Sequence, residues 1–513
     1  MSIERALLSV YDKTGLAPFA RQLSELGVEL IASGGTAQAL TDEGIEVTRL
    51  EELTGFGELL GHRVVSLHPA VHGGILARRE VPDDLAQLEA HGIAPIDLVC
   101  VNLYPFQRTI GRLDVAWEEA IEQIDIGGPT LLRAAAKNHA HVVPLCRPED
   151  YEPLVEEYRV NAEVSQATRR TLAARAFQTT AALDGAVAGW LGRDEAFPET
   201  YVPVFERILE LSYGENPHQR AAYYAQRGAR THILARVEQL QGKPLSFNNL
   251  ADLSAARLLA LELEGPAAVI VKHANPCGVA KAGTIEEAYA LARAADPVSA
   301  YGGVVVLNRP VTGELGAALA EQFVEVLHAP GYEEDALERL AERETTRVLA
   351  DNERRSFVTT ERDLRRVLGG LLVQDRDADG DPLDTMDVVC GDPDEATWEA
   401  LLFAWTVVKH VSSNAIVLAR GGQTIGIGAG QMSRVDSVRL ALDKARELGH
   451  SLEGAVLASD AFFPFVDGPQ LALDAGVRAI IQPGGSKRDA EVTDAVRAAG
   501  VTMVHTGRRH FKH

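Results

Sequence analysis

The sequence predicts an α/β fold in two successive parts, and three observations carry that prediction. Short apolar runs alternate with amphipathic helical stretches through the first 150 residues, and the alternation resumes after about residue 200. Between them, an Ala-rich helical stretch over 165–190 breaks at the charged, Gly- and Pro-containing GRDEAFPETYVP. Strands separated by helices at this spacing imply a doubly wound, parallel sheet covered on both faces. A chain of 513 residues is long enough for about three domains. The main boundary falls near residue 195, giving parts 1–195 and 196–513.

In the first part ALLSV reads as a buried strand, DKTG as its turn, and LAPFARQLSELG as an amphipathic helix closed by Gly27. VELIAS is a second strand that breaks at SGGT; a helix from Thr36 to about Glu43 then leads to the strand IEVTRL. IDLVCVNLYPF and HVVPLC are apolar runs of the kind buried on both faces of a parallel sheet. In the second part AAVIVKHANP, YGGVVVLNRP, NAIVLARGGQTIGIGAG, AVLASDAFFPF and VRAIIQPGG are strands ending in Gly- or Pro-rich loops. Val271-Lys272-His273 is echoed by Val408-Lys409-His410, each following apolar residues and preceding an Asn. The echo hints at two similar subdomains, and coincidence explains it equally well. The stretch 331–394, rich in Asp, Glu and Arg, reads as a surface wrap.

Composition narrows the function classes. Apolar residues are 46% and charged residues 24% of the chain, which excludes low-complexity disorder. Fifty Lys and Arg against 73 Asp and Glu give a net charge of −23. Such a surface repels polyanions, excluding nucleic-acid wrapping and docking to anionic membranes, while a small phosphorylated ligand can still be held at a helix N-terminus. No apolar run has the length of a membrane span, and the N-terminal apolar run is too short for a signal-peptide core. Cys100, Cys146, Cys277 and Cys390 lack CxxC spacing, which implies reduced thiols in a cytosol and no structural zinc.

Several segments can carry chemistry. In SGGT (Ser33, Gly34, Gly35, Thr36) two glycines admit a close ligand, and the following N–H groups suit phosphate oxygens. The geometry of a strand-to-helix turn accounts for that spacing equally well. Asp12 and Lys13 lie at the end of the first strand, where ligands of such sheets bind. His68 and His72 are four apart, but Pro69 intervenes and HExxH is absent, so they read as loop histidines rather than a metal pair. In DIGGPTLLRAAAKNHA, Arg133 and Lys137 share a helix face. Lys137 is either a solvated surface lysine or, if burial lowers its pKa, a proton-transfer group. Lys272 and His273 sit at a strand end, where His273 is a candidate general base or a satisfied core histidine. Pro276-Cys277 begins a PCxxC, but position 280 is Ala280 and no HxE accompanies it, so a zinc deaminase mechanism is excluded. Arg434 can hold a phosphate or carboxylate, and Phe462, Phe463 and Phe465 form either an aromatic wall or a core cluster.

Together, SVYDKTG, ASGGT, LHPAVHGGIL, NLYPF, EQIDIGG, TLLRAAAKNHA, YGENPHQ, KHANPCG, DPVSAYGG, APGYEE, SSNAIV, IGIGAGQMSR, SDAFFPF and HTGRRHFKH run in order from residue 9 to residue 513. In these the chain closely resembles the bifunctional purine-biosynthesis family that joins AICAR transformylase to IMP cyclohydrolase. The resemblance implies a methylglyoxal-synthase-like cyclohydrolase part, with its core in about 1–147, and a transformylase part of two cytidine-deaminase-like subdomains without zinc. It implies formyl transfer from the cosubstrate 10-formyltetrahydrofolate to AICAR, then dehydrative closure of formyl-AICAR to IMP. It also implies a cytoplasmic homodimer with transformylase sites at the subunit interface, no metal in the chemistry, and room for a monovalent cation.

Carried over by matched motif, Lys137 and Asp125 handle protons during ring closure. Asp12, Lys13, the SGGT loop, Arg63, Ser66, Asn102, Tyr104, Ile126 and Gly127 hold the nucleotide there. In the transformylase, His273 takes the proton of the attacking amine, assisted by Lys272 and Asn414. Tyr213, Gly302, Glu325, Arg434, Val435 and Arg509 hold AICAR, and Phe462, Asp467 and Ser486 lie near the folate or the nucleotide. Two departures stand out: Val65 replaces the family's usual Lys, removing a cation from the cyclohydrolase pocket, and Ser212 replaces the usual Arg before Tyr213. Two rival readings follow, a transformylase with a decayed first domain and a nucleotide sensor without turnover.

Overall fold

The computed structural model describes residues 1–112, 114–226, 233–234, 237–351, 362–378 and 380–513. Along most of its length the chain divides into two compact units between Glu206 and Arg207. That division lies beyond the GRDEAFPETYVP break because the chain after it packs back on the Ala-rich helix Gln166–Leu191. A side chain at Gly185 of that helix would strike Val204 at 2.6 Å and Val202 at 3.3 Å.

The first unit is built on five parallel strands, β1 (Arg5–Val10), β2 (Glu29–Ala32), β3 (Thr48–Arg49), β4 (Leu98–Asn102) and β5 (Val143–Leu145), in the order β3-β2-β1-β4-β5. Both faces are covered, which is why the strands read as unbroken apolar runs. Ala6 and Leu8 pack with Leu16, Phe19 and Leu23 on one face, and Leu7, Val99 and Val101 with Leu131 and Ala135 on the other. The expected strand IEVTRL shrinks to Thr48–Arg49 at the sheet edge, because Leu50 opens the helix Leu50–Thr54 and buries its side chain there.

The second unit contains a ribbon of β6 (Phe205–Leu211) and β7 (Ala221–Gln226), then β8 (Glu238–Gln241), β9 (Ala267–Lys272), β10 (Asn275–Lys281), β11 (Val304–Leu307), β12 (Val326–Ala329) and β13 (Arg347–Ala350). A hairpin of β14 (Arg362–Val367) and β15 (Gly370–Asp375) precedes β16 (Asp387–Cys390), β17 (Ile416–Arg420), β18 (Gln423–Gly428), β19 (Val456–Ser459), β20 (Ala479–Gln482) and β21 (Thr502–His505). Twelve of these form one mixed sheet, β16-β21-β20-β19-β17-β18-β10-β9-β11-β12-β13-β8. It reads as two six-stranded halves of identical order. In each, an antiparallel pair (β10/β9, β18/β17) leads to an antiparallel neighbour, two parallel steps and an antiparallel edge strand. The halves join where Ala280 of β10 pairs with Gln423 of β18.

The Val-Lys-His echo does not map onto this repeat. Lys272-His273 leaves the end of β9, whereas Lys409-His410 ends the helix Glu395–Val408 ahead of β17, the counterpart of β9. The repeat is a matter of topology, and the echo is coincidence. Nor is the acidic stretch 331–394 merely a surface wrap: it contributes β13, whose Val348 and Leu349 are fully buried in the sheet. The hairpin β14–β15 is exposed as expected, while 352–361 and 379 lie outside the described residues. No helix among the described residues is long and apolar enough to cross a membrane.

Candidate functional site

In the first unit the C-terminal ends of β1, β2 and β4 form one edge, with connections departing to opposite sides of β1, the position where ligands bind in such sheets. Asn102, the last residue of β4, accepts from the N–H groups of Tyr11 (2.6 Å) and Asp12 (2.9 Å) and donates to the Asp12 carbonyl (2.9 Å). Lys13 folds back onto the Val10 and Tyr11 carbonyls, and burial lowers its pKa. Asp12 is held below its usual range because its carboxylate accepts from the Thr14 hydroxyl and N–H. Thr36 bonds both polar groups of Val10, and the Ser9 and Ser33 hydroxyls meet at 2.7 Å. Around the Cβ positions of Gly34 and Gly35 lies open space, at the mouth of the helix Gly34–Asp42. An open helix N-terminus is the kind of position at which anions bind.

Asp125 stands just ahead of the helix Gly127–Lys137 and accepts from the Gly128 N–H at 2.8 Å. Burial raises its pKa, against the backbone hydrogen bonds that oppose it. Tyr104 meets the Tyr11 ring edge-on at 5.5 Å, and burial, reinforced by Asp125, raises its phenol. Ser66 lies so close to Gly127 that a Cβ there would fall 2.9 Å from its hydroxyl. Ile126 is exposed, Arg63 is exposed and engaged by Glu122, and Val65 is half-buried against the apolar core. The His68 ring accepts from the Ala70 N–H and so starts the helix Pro69–Leu76. His72, inside that helix, keeps its pKa lowered by burial.

Lys137 is not brought to Asp125. The two flank a helix whose ten residue steps rise roughly 15 Å. Lys137 instead lines an open cavity of about 490 Å³ with Arg133, His139, Phe177 and Leu76. Expected partners in proton transfer therefore do not meet within one chain.

In the second unit the strand directions collect the remaining candidates along one sheet edge. The end of β9 lies beside the starts of β10, β11 and β17, and these beside the starts of β12 and β13 and the ends of β18, β19, β20 and β21. The Lys272 ammonium donates to the carbonyls of Tyr301 (3.0 Å) and Gly302 (2.8 Å). Gly302 has φ +67°, and a side chain there would press on Lys272 and Phe323 at 3.2 Å. His273 is exposed, with φ +52°, and Ala274 follows at +58°. Asn275 reaches across to accept from the Ser412 N–H at 2.8 Å.

Arg434 is buried. It donates to Asn414 Oδ1 and Ser459 Oγ, both at 2.8 Å, and pairs with the fully buried Asp460, which also accepts from Ser413 Oγ at 2.5 Å. Asn414 donates in turn to the Gln431 carbonyl at 2.9 Å, and Val435 is half-buried beside Arg434. The three phenylalanines separate: Phe463 is core, Phe462 half-buried, and Phe465 exposed beneath the Arg488 guanidinium at 4.9 Å. Asp467 and Ser486 each accept from a neighbouring backbone N–H, and Arg509 covers the Phe511 ring. Glu325 is paired with Arg347 at 2.7 Å, and the Tyr213 carbonyl accepts from the Phe247 N–H. Ser212 spends its hydroxyl on the Leu245 carbonyl at 3.1 Å. From β12 to β20 there are seven strand spacings, roughly 34 Å, so Glu325 and Ser486 of one chain cannot grip one small ligand.

Sequence reasoning missed Asp252, Asn275, Ser413, Asp460 and Lys512, which hold these loops together. All but Asp252 stand inside quoted motifs, KHANPCG, SSNAIV, SDAFFPF and HTGRRHFKH, but partners distant in sequence leave no spacing signal.

A family model described as the AICARFT/IMPCHase bienzyme matches residues 135–444, and one for the MGS-like domain matches 15–130. Three proteins named bifunctional purine biosynthesis protein PurH align along the whole chain. That of Magnetococcus marinus is 49% identical over 100% of this chain and 99% of its own. This chain belongs to the AICARFT/IMPCHase bienzyme family. The family's PurH of Anoxybacillus flavithermus is 48% identical over 99% of both chains, and that of Sorangium cellulosum 50% identical over 100% of both. The MGS-like match falls on the parallel sheet of the first unit, and the bienzyme match runs from the end of the helix bearing Lys137 through Arg434.

Proposed function

We propose that this bienzyme divides its two reactions between the two sheet edges, formyl transfer at the second and ring closure at the first. The single observation that carries the reading is that each unit gathers its own titratable groups at one edge: Asp125 with Tyr104 in one, His273 with Lys272 in the other.

In the second unit the exocyclic amine of AICAR attacks the formyl carbon of 10-formyltetrahydrofolate. That amine is a poor nucleophile, because the ring and its carboxamide withdraw the lone pair, so positioning supplies much of the rate. His273, exposed at a strand end, takes the proton the amine loses, and a proton is returned to the folate N10 as the formyl carbon–N10 bond breaks. Lys272 keeps its remaining N–H for the formyl oxygen, and the Asn414–Arg434 pair faces the same edge. In the first unit the carboxamide nitrogen of formyl-AICAR attacks the formyl carbon and water departs. Asp125, its pKa raised by burial, takes the nitrogen proton and returns one to the leaving oxygen. The helix mouth at Gly34–Gly35 holds the phosphate. Neither step as drawn asks for a metal, and room for a monovalent cation is kept. The separation of Lys137 from Asp125, and of Glu325 from Ser486, favours a homodimer in which two chains complete each site. Free thiols at all four cysteines suit the cytoplasm.

Purified protein given AICAR and 10-formyltetrahydrofolate is expected to release IMP. His273→Ala should stop formyl transfer and leave closure of supplied formyl-AICAR intact; loss of both steps in a folded variant would refute the division. Accumulation of formyl-AICAR without IMP would instead support the transformylase-only reading that Val65 suggests.

A further inference from the structure

His273 and Ala274 both lie in the left-handed region, at φ +52° and +58°. For residues with a Cβ this conformation is unfavourable and persists only where the surroundings impose it. Both polar groups of the Ala274 backbone are held by side chains from far away. Its N–H donates to Asp252 Oδ1 at 2.6 Å, from the helix Phe247–Glu262. Its carbonyl accepts from the Lys512 ammonium at 3.1 Å, from the C-terminal segment.

The same ammonium donates to the His410 carbonyl at 2.8 Å, and the Lys512 carbonyl accepts from the Ser413 N–H at 2.8 Å. Lys512 forms no ion pair with a described carboxylate; its partners are backbone carbonyls on the two loops that bear His273 and Asn414. An ammonium half-buried against carbonyls sets positions rather than neutralising charge.

We propose that Asp252 and Lys512 form a clamp on Ala274 that aims the His273 imidazole and fixes it against the Asn414 loop, making both positioning residues for formyl transfer. The inference rests on His273 being the base. Lys512→Met keeps the apolar stem and removes the donors. Because a displacement of about 1 Å can cost 10²-fold in rate, kcat for formyl transfer should fall about 10- to 100-fold. KM for AICAR and for the folate should stay within about threefold, since both side chains are engaged by backbone groups. Lys512→Arg restores the donors and should recover kcat to within about fivefold. Asp252→Ala attacks the clamp from its other jaw and should reproduce the kcat loss. Closure of supplied formyl-AICAR, a reaction of the other unit, should be unchanged, and a parent-like circular dichroism spectrum and urea transition certify that the second unit is folded.

A kcat within about twofold of the parent in both Lys512→Met and Asp252→Ala would overturn the clamp, as would KM rising in step with the kcat loss and no recovery in Lys512→Arg. His273→Ala, measured alongside, separates the two claims. Full formyl transfer in that variant removes the base assignment, whereas an inactive His273→Ala beside a normal Lys512→Met removes the clamp alone.

Discussion

A methyl group added at Gly128 has no vacant place: its carbon would stand 2.4 Å from Asp125 Oδ2 and 2.8 Å from Leu103 Cδ2. Ordinary contact lies about 1 Å farther out. Both obstructing atoms are tips of side chains, so Gly128→Ala swings the Asp125 carboxylate away rather than unfolding the helix. The swing breaks the 2.8 Å hydrogen bond from the Gly128 N–H, worth roughly 1.5–3 kcal/mol when the acceptor is charged. Against it stands the gain from replacing a helical glycine by alanine, about 0.5–1 kcal/mol. The net loss is about 1–2 kcal/mol, a few degrees in Tm for a unit of this size. Rate suffers far more, because a proton-transfer group displaced by about 1 Å loses roughly 10²-fold. Steady-state IMP formation from supplied formyl-AICAR is the assay, with formyl transfer on the same preparation as the internal control. Ring closure within about threefold of the parent, despite the expected fall in Tm, would refute the role given to Asp125.

Three further outcomes are expected. Arg434→Met strips the fully buried Asp460 of its cation and should destabilise the second unit by about 3–5 kcal/mol in urea denaturation; a loss under about 1 kcal/mol would show that Ser413 alone satisfies the carboxylate. Burial disfavours the charged form of His510, but Asp377 at 2.6 Å and Asp381 at 2.7 Å outweigh it and raise its pKa above 6.5. Its contribution to stability is therefore complete below about pH 6.5 and fades as pH rises through the folded value. Tm should fall over that range in the parent and stay flatter in His510→Gln, and parallel curves would contradict the sign. Mixing Asp125→Asn with Lys137→Gln, each inactive in ring closure, should restore about a quarter of the parent rate if a second chain supplies Lys137, because half the dimers are mixed and each has one intact site. Continued inactivity after subunit exchange would rule that out.

How far the sequence could be read depended on how local the cause was. The strands around Ala6–Val10 and Leu98–Asn102 were legible because burial on both faces leaves continuous apolar runs. The strand at 48–49 was overestimated because an edge position does not show in composition. Why glycines stand at 127 and 128, with the Ser66 and Asp125 side chains against them, is a packing fact that motif matching does not show. Lys137 and Asp125 were assigned together to ring closure without regard to the helix between them, since motif matching carries no distance. The duplication of the second unit was suspected from a three-residue echo that proves unrelated to it, while the true repeat lies in strand order and direction.

Amino-acid order alone determined the α/β class, the alternation of strands and helices, and the motifs that identify the family, because each is written in neighbouring residues. Tertiary structure decided which of those motifs meet. It alone brought Ala274 between Asp252 and Lys512 and buried Asp460 under Arg434. Such juxtapositions arise only when the sheet closes and distant segments compete for the same hydrogen-bonding groups, a contest that local spacing does not record.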